Sequence, residues 1–283
     1  RSAAVLPALA GKFGVLGGGL IMKAGNAFPE TGARLQQSAL IPNGTRTFNI
    51  IDVADHILDN TLDPPVKALF IYNHNPVAVH PNQNHMKKAL LRDDLFIVGC
   101  DIEMTDSMAY ADIILPASSH FEFADLYGAY GQQYLQRADP VIPSVGDSLP
   151  NTEIFRRLSA KLGYDNPIFR ADDAQLMDDA MDATDPRLKG VRPSEVPLDS
   201  AIYMEVDGED TMPFVNVFPG TETGKVEILS DNLESLYGEG VPEFKPLDSE
   251  YPFYLITPSS DKRINATFGG LKMSDEIQPL EMN

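Results

Sequence analysis

Residues 95–122, LFIVGCDIEMTDSMAYADIILPASSHFE, hold two apolar runs separated by a short acidic stretch. The first run stops at Cys100-Asp101 and the second at Pro116-Ala117-Ser118. Both are short and apolar along their length, which is how strands buried on two faces read. TDSMAYA between them reads as a short helix with Thr105 as its N-cap. Strands of this kind alternating with helices make a parallel sheet covered on each side. In such sheets ligands bind outside the carboxyl ends of the strands.

The same alternation continues outward in both directions. VKALFIYNHNP (66–76) reads as a strand ending in a polar loop, and PNQNHMKKALLRDD (81–94) as a helix with Pro81 at its start. Met86, Leu90 and Leu91 share one face of that helix, while Lys87, Lys88 and Arg92 are solvated. NTEIFRRLSAKLG (151–163) reads as a helix with Asn151 as N-cap and Gly163 at its end. The regular α/β core therefore runs from about 66 to 163. Its three strand ends, 73–76, 100–101 and 116–119, should line one edge.

The residues at that edge have two readings each. Asp101 could accept hydrogen bonds from ribose hydroxyls or from the N–H edge of guanine, or it could cap the following turn. Pro76 keeps Asn75 out of the helical region and would fix its amide at the edge, or Asn-Pro simply opens a turn. Cys100, a lone cysteine ending a buried strand, reads as an inert thiol. His74, His80, His85 and His120 match no zinc spacing and read as surface residues. Glu122 and Asp125 are acids placed for proton transfer or for nothing beyond a loop. No Ser-His-Asp order and no Walker-type phosphate loop is present.

Outside the core the patterns differ. Residues 11–32 are glycine-rich and read as a loop. Gly17-Gly18-Gly19 lacks the strand–turn–helix setting of a dinucleotide fingerprint and reads as a turn. DDAQLMDDAMDATD (172–185) reads as a solvated helix whose acids lack calcium-loop spacing. From Ala201 the period becomes two: AIYMEVDGEDTMPFVNVF (201–218) and GKVEILSDNL (224–233) read as antiparallel strands. YPFYLITPSSDKRINATFGG (251–270) reads as a new strand leading into a Ser/Thr-rich loop.

Composition limits the function classes. The chain has 283 residues, 43% hydrophobic and 22% charged, an ordinary globular balance. Its 41 acids against 22 bases give a net charge of −19, which argues against a nucleic-acid partner. A single cysteine excludes an internal disulfide framework and any cysteine-ligated cluster within the chain. No apolar run reaches membrane-span length. Arg1 at the start leaves targeting unread, so the compartment stays open between cytoplasm, which we favour, and periplasm.

Together these segments resemble one family, the molybdopterin oxidoreductases of the dimethyl-sulfoxide reductase class. The resemblance rests on YNHNPVAVHP, on residues 95–122 and on GAYGQQYLQRADPVIPSVGDSLPNTEIFRRLSAKLG, GKVEILSD and FYLITPSSDKRINATF. Asp-x3-Thr-(D/E)-(S/T)-x-x-(Y/L)-A-D-x-x-L-P-A, running from Asp101 to Ala117, is its most specific part. Order and spacing agree over about residues 11–270.

The resemblance implies a bis(molybdopterin guanine dinucleotide) cofactor holding molybdenum or tungsten. It implies a Rossmann-like parallel sheet with helices on both faces, then a β-rich segment and the start of a β-barrel-like C-terminal domain. The boundaries it suggests are 1–200 for the dinucleotide-binding α/β domain, 201–247 for the β-rich connection and 248–283 for the truncated start of the last domain. Cofactor contacts carry over to Asn75, Pro76, Cys100, Asp101, Asn151, Thr257, Pro258, Ser259, Ser260 and Asn265.

In the family the metal-ligating residue and an N-terminal Fe–S segment lie upstream of the matching region. No catalytic or metal-ligating residue is therefore assigned here, and Cys100 does not stand at the ligand position. The chain reads as a central-to-C-terminal fragment of an enzyme, inactive alone, whose parent acts on a small-molecule substrate and can work with an electron-transfer partner subunit. DLYGAYGQQYLQ departs from the family's Gly-Thr-(Y/F) form, so no contact is carried over to that loop. The alternative is a metal-free scaffold of the same fold, as in respiratory complex I.

Overall fold

The computed structural model describes residues 2–20, 27–129, 131–205, 215, 220–246, 248–258, 264 and 266–267. Its helices are α1 (Ser2–Leu9), α2 (Gly32–Gln36), α3 (Val53–Leu58), α4 (Pro76–Val79), α5 (Gln83–Leu90), α6 (Asn151–Leu162), α7 (Asp173–Ala180) and α8 (Asp231–Tyr237). Its strands are β1 (Ala68–Tyr72), β2 (Phe96–Asp101), β3 (Ile113–Pro116), β4 (Asp125–Ala129), β5 (Gln132–Ala138) and β6 (Ile202–Tyr203). The chain divides into two compact units, one of residues 37–124, 139–170 and 254–283, the other of 1–36, 125–138 and 171–253.

The first unit is built on a parallel sheet in the order β1-β2-β3. Tyr72 pairs with Cys100, Cys100 with Leu115 and Asp101 with Pro116, so the three strands end level with one another. Side chains alternate across the sheet. Leu69, Ile71 and Ile97 join Ala54 and Ile57 of α3, Val77 of α4 and Met86, Ala89 and Leu90 of α5 in one apolar cluster. On the other face Phe155 of α6 lies 5.6 Å from the Phe70 ring and 5.1 Å from the Tyr72 ring. Helices thus cover both faces at β1. Coverage is thinner at β3, where Ile113 and Ile114 remain 47% and 40% exposed.

Local chemistry sets the boundaries. α5 begins two residues later than Pro81 predicts, because Asn82 takes a left-handed conformation (φ 56°) and caps the helix by accepting from His85 N. The stretch after β2 forms only a 3-10 turn, Met108–Tyr110, with Thr105 Oγ1 accepting from Met108 N at 3.4 Å. Met108 is fully buried, and a Cβ added at Gly99 would meet its sulfur at 2.3 Å. Glycine in the middle of β2 is what lets that turn sit on the strand. α6 ends at Gly163 in the left-handed region (φ 77°), as read from the sequence.

The second unit centres on the β4–β5 hairpin, extended by two residues of β6. Leu135, Met181, Leu188, Val196 and Met204 form its core with Ala27 and Phe28. The sequence reading treated DLYGAYGQQYLQ (125–136) as a loop. Leu135 is the one fully buried residue of β5, so no two-residue apolar period marks the strand. α7 is less solvated than expected, since Met177 is buried.

Two strand expectations are overturned. In 224–233 there is no strand: Ser230 Oγ accepts from Leu233 N and starts α8, which Gly238 ends at φ 64°. Of 201–218, Ile202–Tyr203 is strand, and most of 206–219 lies outside the described residues. Residues 251–258 are exposed chain with no strand assigned. An alternating pattern makes a strand only where a partner edge accepts its hydrogen bonds, and 224–233 and 251–258 show none among the described residues.

Candidate functional site

The loops leaving β1, β2 and β3 meet at one edge of the parallel sheet, and side-chain hydrogen bonds tie them together. Pro76 opens α4, which leaves Asn75 at φ −122°, ψ 77°, outside the helical region as proline requires. The Asn75 side-chain oxygen accepts from Ser107 Oγ at 2.6 Å, and that hydroxyl accepts from Val77 N at 3.0 Å. Ser107, fully buried, therefore joins the loop after β2 to the first turn of α4. It was absent from the residues read as site candidates, although it stands inside the Thr-Asp-Ser motif.

Asn151 works across the edge. The sequence reading made it the N-cap of α6, but Pro150 holds that position and Asn151 is the first helical residue. Its amide is engaged elsewhere: Nδ2 donates to Asn73 Oδ1 at 3.1 Å, and Oδ1 lies 3.6 Å from Cys100 Sγ. Asn73 sits in the left-handed region at φ 52°, a conformation asparagine tolerates better than most residues. Cys100 is 2% exposed. Burial, then the neighbouring Asp101 charge, push its thiol pKa upward, which keeps it protonated and inert.

Asp101 uses one carboxylate oxygen locally, accepting from Ile102 N at 2.8 Å, and is half-buried. Its backbone carbonyl accepts from Ala117 N at 3.0 Å, continuing the sheet past the strand end. Ala117 and Leu149 then form a parallel bridge that brings the segment before α6 to the same edge. Ser118, 7% exposed, has a hydroxyl without a hydrogen-bond partner among the described residues.

Glu122 is a clamp for this edge. Its carboxylate accepts from Ser119 N (2.7 Å), Ser119 Oγ (2.6 Å), Val145 N (2.7 Å) and Ser148 Oγ (2.8 Å). These bonds, those from Ser119 and Val145 foremost, hold its pKa down to about 2. A group ionised so firmly has no proton to give, and its oxygens are already engaged by four donors, which argues against Glu122 as a proton donor. The sequence showed the acid but not its partners, two bonds from Ser119 three residues away and one each from 23 and 26 residues away.

The remaining predicted residues stand apart from this network. Thr257 and Pro258 are exposed, and no hydrogen bond among the described residues ties them to the strand ends. Ser259, Ser260 and Asn265 lie outside the described residues. The histidines do not all sit on the surface: His80 is 9% exposed and contacts His74. Among the described residues no group of three His, Cys, Asp or Glu could hold a metal ion.

Comparison with known proteins agrees with this architecture. The family model described as molybdopterin oxidoreductase matches residues 29–161, which include all three parallel strands and the first turns of α6 through to Lys161. The probable oxidoreductase YoaE of Bacillus subtilis is 35% identical over 278 residues, covering 95% of this chain and 39% of that protein. The chain belongs to the molybdopterin oxidoreductase family. The dimethyl sulfoxide/trimethylamine N-oxide reductase of Rhodobacter capsulatus is 26% identical, over 73% of this chain and 28% of the reductase. In fold the chain is similar to acetylene hydratase from Pelobacter acetylenicus, with a TM-score of 0.53 at 22% identity, over 71% of this chain and 26% of that one. The chain thus spans well under half the length of these proteins.

Proposed function

We propose that this chain is the part of a molybdenum or tungsten oxidoreductase that binds the guanosine end of a molybdopterin guanine dinucleotide. The observation that carries the reading is the convergence of Asn75, Asp101 and Asn151 on one edge of the parallel sheet, beyond its carboxyl ends. The chemistry of these residues fits the group. Guanine offers N–H donors along one edge, and Asp101 has acceptor capacity beyond the one bond to Ile102 N. Uncharged amides and backbone N–H groups can hold a phosphorylated ligand without a basic patch, as a chain of net charge −19 requires.

In this reading Asp101 takes the base or ribose, Asn75 and Asn151 frame the edge, and Pro76 and Cys100 lend backbone and shape. The bound metal–pterin group supplies two-electron redox or oxygen-atom transfer. Residues 1–200 make the binding domain, 201–247 connect it, and 248–283 begin a cofactor-capping domain through Thr257, Pro258, Ser259, Ser260 and Asn265. A second dinucleotide, the metal ligand and any Fe–S cluster belong to parts of the protein outside this chain, as do the small-molecule substrate site and the docking of an electron-transfer subunit.

The test is cofactor analysis of the whole protein. Release of guanine nucleotide after acid treatment, with molybdenum or tungsten in proportion, is the expected result. A whole protein free of metal and guanine would instead make the chain part of a scaffold.

A further inference from the structure

Two imidazoles at the strand ends are left unused by the nucleotide reading. His74 stands between Asn73 and Asn75 in the loop after β1, and His80 is the C-cap of α4. Their Nε2 atoms are 2.7 Å apart, with the rings tilted by 50°. The other ring nitrogen of His80, Nδ1, is buried with no hydrogen-bond partner among the described residues.

A 2.7 Å contact between ring nitrogens is a hydrogen bond, so one Nε2 carries a proton and the other does not. If His80 accepted, its own proton would sit on Nδ1, a buried N–H with nothing to receive it. If His80 donates, Nδ1 is a bare lone pair. Orphaned buried N–H groups are the rarer and costlier case, so His80 donates. The consequence falls on His74. Its Nε2 accepts, and its proton must then be on Nδ1, a nitrogen that no hydrogen bond engages among the described residues.

The pair also resists a further proton. On His80 Nδ1 it would create the orphaned N–H, and on His74 Nε2 it would set two N–H groups against each other. Burial lowers the pKa of both rings, and His74 adds to the effect at His80. Neighbouring charges do not offset this. His85 of α5 pairs with Asp55, Lys87 bonds Gln83, and neither these groups nor Lys88, Asp101 or Asp106 shifts either ring.

We propose that His74 is a ligand-contacting residue of the strand-end site, a neutral imidazole that donates its Nδ1–H to a nucleotide oxygen, with His80 as the positioning residue that fixes its tautomer. The inference rests on the reading of this edge as a nucleotide site. It gives an acidic protein a donor for a phosphate, ribose or carbonyl oxygen that brings no buried cation.

The full 283-residue chain labelled with 15N-histidine, with guanosine diphosphate as probe, tests it. Long-range proton–nitrogen correlation at neutral pH should find the His80 proton on Nε2 and the His74 proton on Nδ1. Adding the nucleotide should shift the His74 Nδ1–H resonance. His74→Phe should weaken nucleotide binding about three- to tenfold, the scale of one neutral hydrogen bond, and His74→Gln, which keeps an N–H donor, should restore most of it. If His74→Phe unfolds, the wild-type resonance shift and the Gln variant decide. A His80 proton on Nδ1, or nucleotide binding without any His74 shift, would overturn the proposal and leave the nucleotide reading standing. A chain that binds no guanosine diphosphate would overturn both.

Discussion

Asp101 and Glu122 are carboxylates at the same sheet edge with opposite arrangements of partners. Among the described residues Glu122 has four protein donors, whereas Asp101 has one, from the next residue's backbone. For Asp101→Ala in the whole enzyme we expect a loss of about 1–3 kcal/mol in cofactor affinity, the usual cost of unpaired donors in a desolvated site. Asp101→Asn should fall between, since an amide keeps one acceptor without charge assistance. Cofactor occupancy and melting temperature, measured together, separate this from simple turn capping, which lowers only the second. Glu122 gives a pH prediction. Its folded pKa, about 2, lies below that of an unfolded glutamate, so its stabilisation is complete above the unfolded value and is lost as pH falls toward 2. Glu122→Gln should flatten the acid limb of a melting-temperature profile, and an unchanged limb would count against the clamp. The histidine pair acts in the same direction at higher pH: with both values lowered, its contribution is whole above about 6.5 and declines below.

Elements meet the site through close packing at β2. The 3-10 turn that carries Ser107 and Met108 can lie on the strand because Gly99 has no side chain. Gly99→Ala drives a methyl group into the Met108 sulfur, and overpacking of this kind costs about 1–3 kcal/mol. Denaturant unfolding should show that loss, and Met108→Ala in the same chain should return part of it by opening space. If Gly99→Ala alone were neutral, the turn would have room to shift, and Ser107 would not be held firmly against Asn75. α6 matters for its first residue as well as its apolar face, since Asn151 spends its amide on Asn73 instead of on its own helix.

At the scale of the molecule, an acidic chain presents a strand-end edge, proposed above as a nucleotide site, built from amides, hydroxyls and one carboxylate with acceptor capacity left over. Purified by itself, this chain should hold far less than one molybdenum or tungsten per molecule, because its described residues contain no cluster that could ligate a metal. Elemental analysis beside the whole protein checks this. One metal atom per isolated chain would place a ligand within these 283 residues. No helix among the described residues is long and apolar enough to cross a membrane.

The sequence by itself determined the parallel sheet. Runs apolar along their length, broken by Asn-Pro, Cys-Asp and Pro-Ala-Ser, locate β1, β2 and β3 to within two residues of their observed starts and ends, because strands of a parallel sheet are apolar on both faces even where, as at β3, the covering is thin. It also placed Asn75 and Asp101 after strand ends at one edge of that sheet, while the order β1-β2-β3 came from the structure. Tertiary structure decided the rest. The β4–β5 hairpin buries Leu135 fully and little else, so its pattern was too sparse to read. Residues 224–233 alternate like a strand, yet without a pairing edge Ser230 starts a helix there. Ser107, Glu122 and the His74–His80 pair take their roles from partners that lie 3 to 32 residues away along the chain. Periodicity reports which face of an element is buried. It carries no information about which polar atom another segment brings within 3 Å, and that is what makes this edge a site.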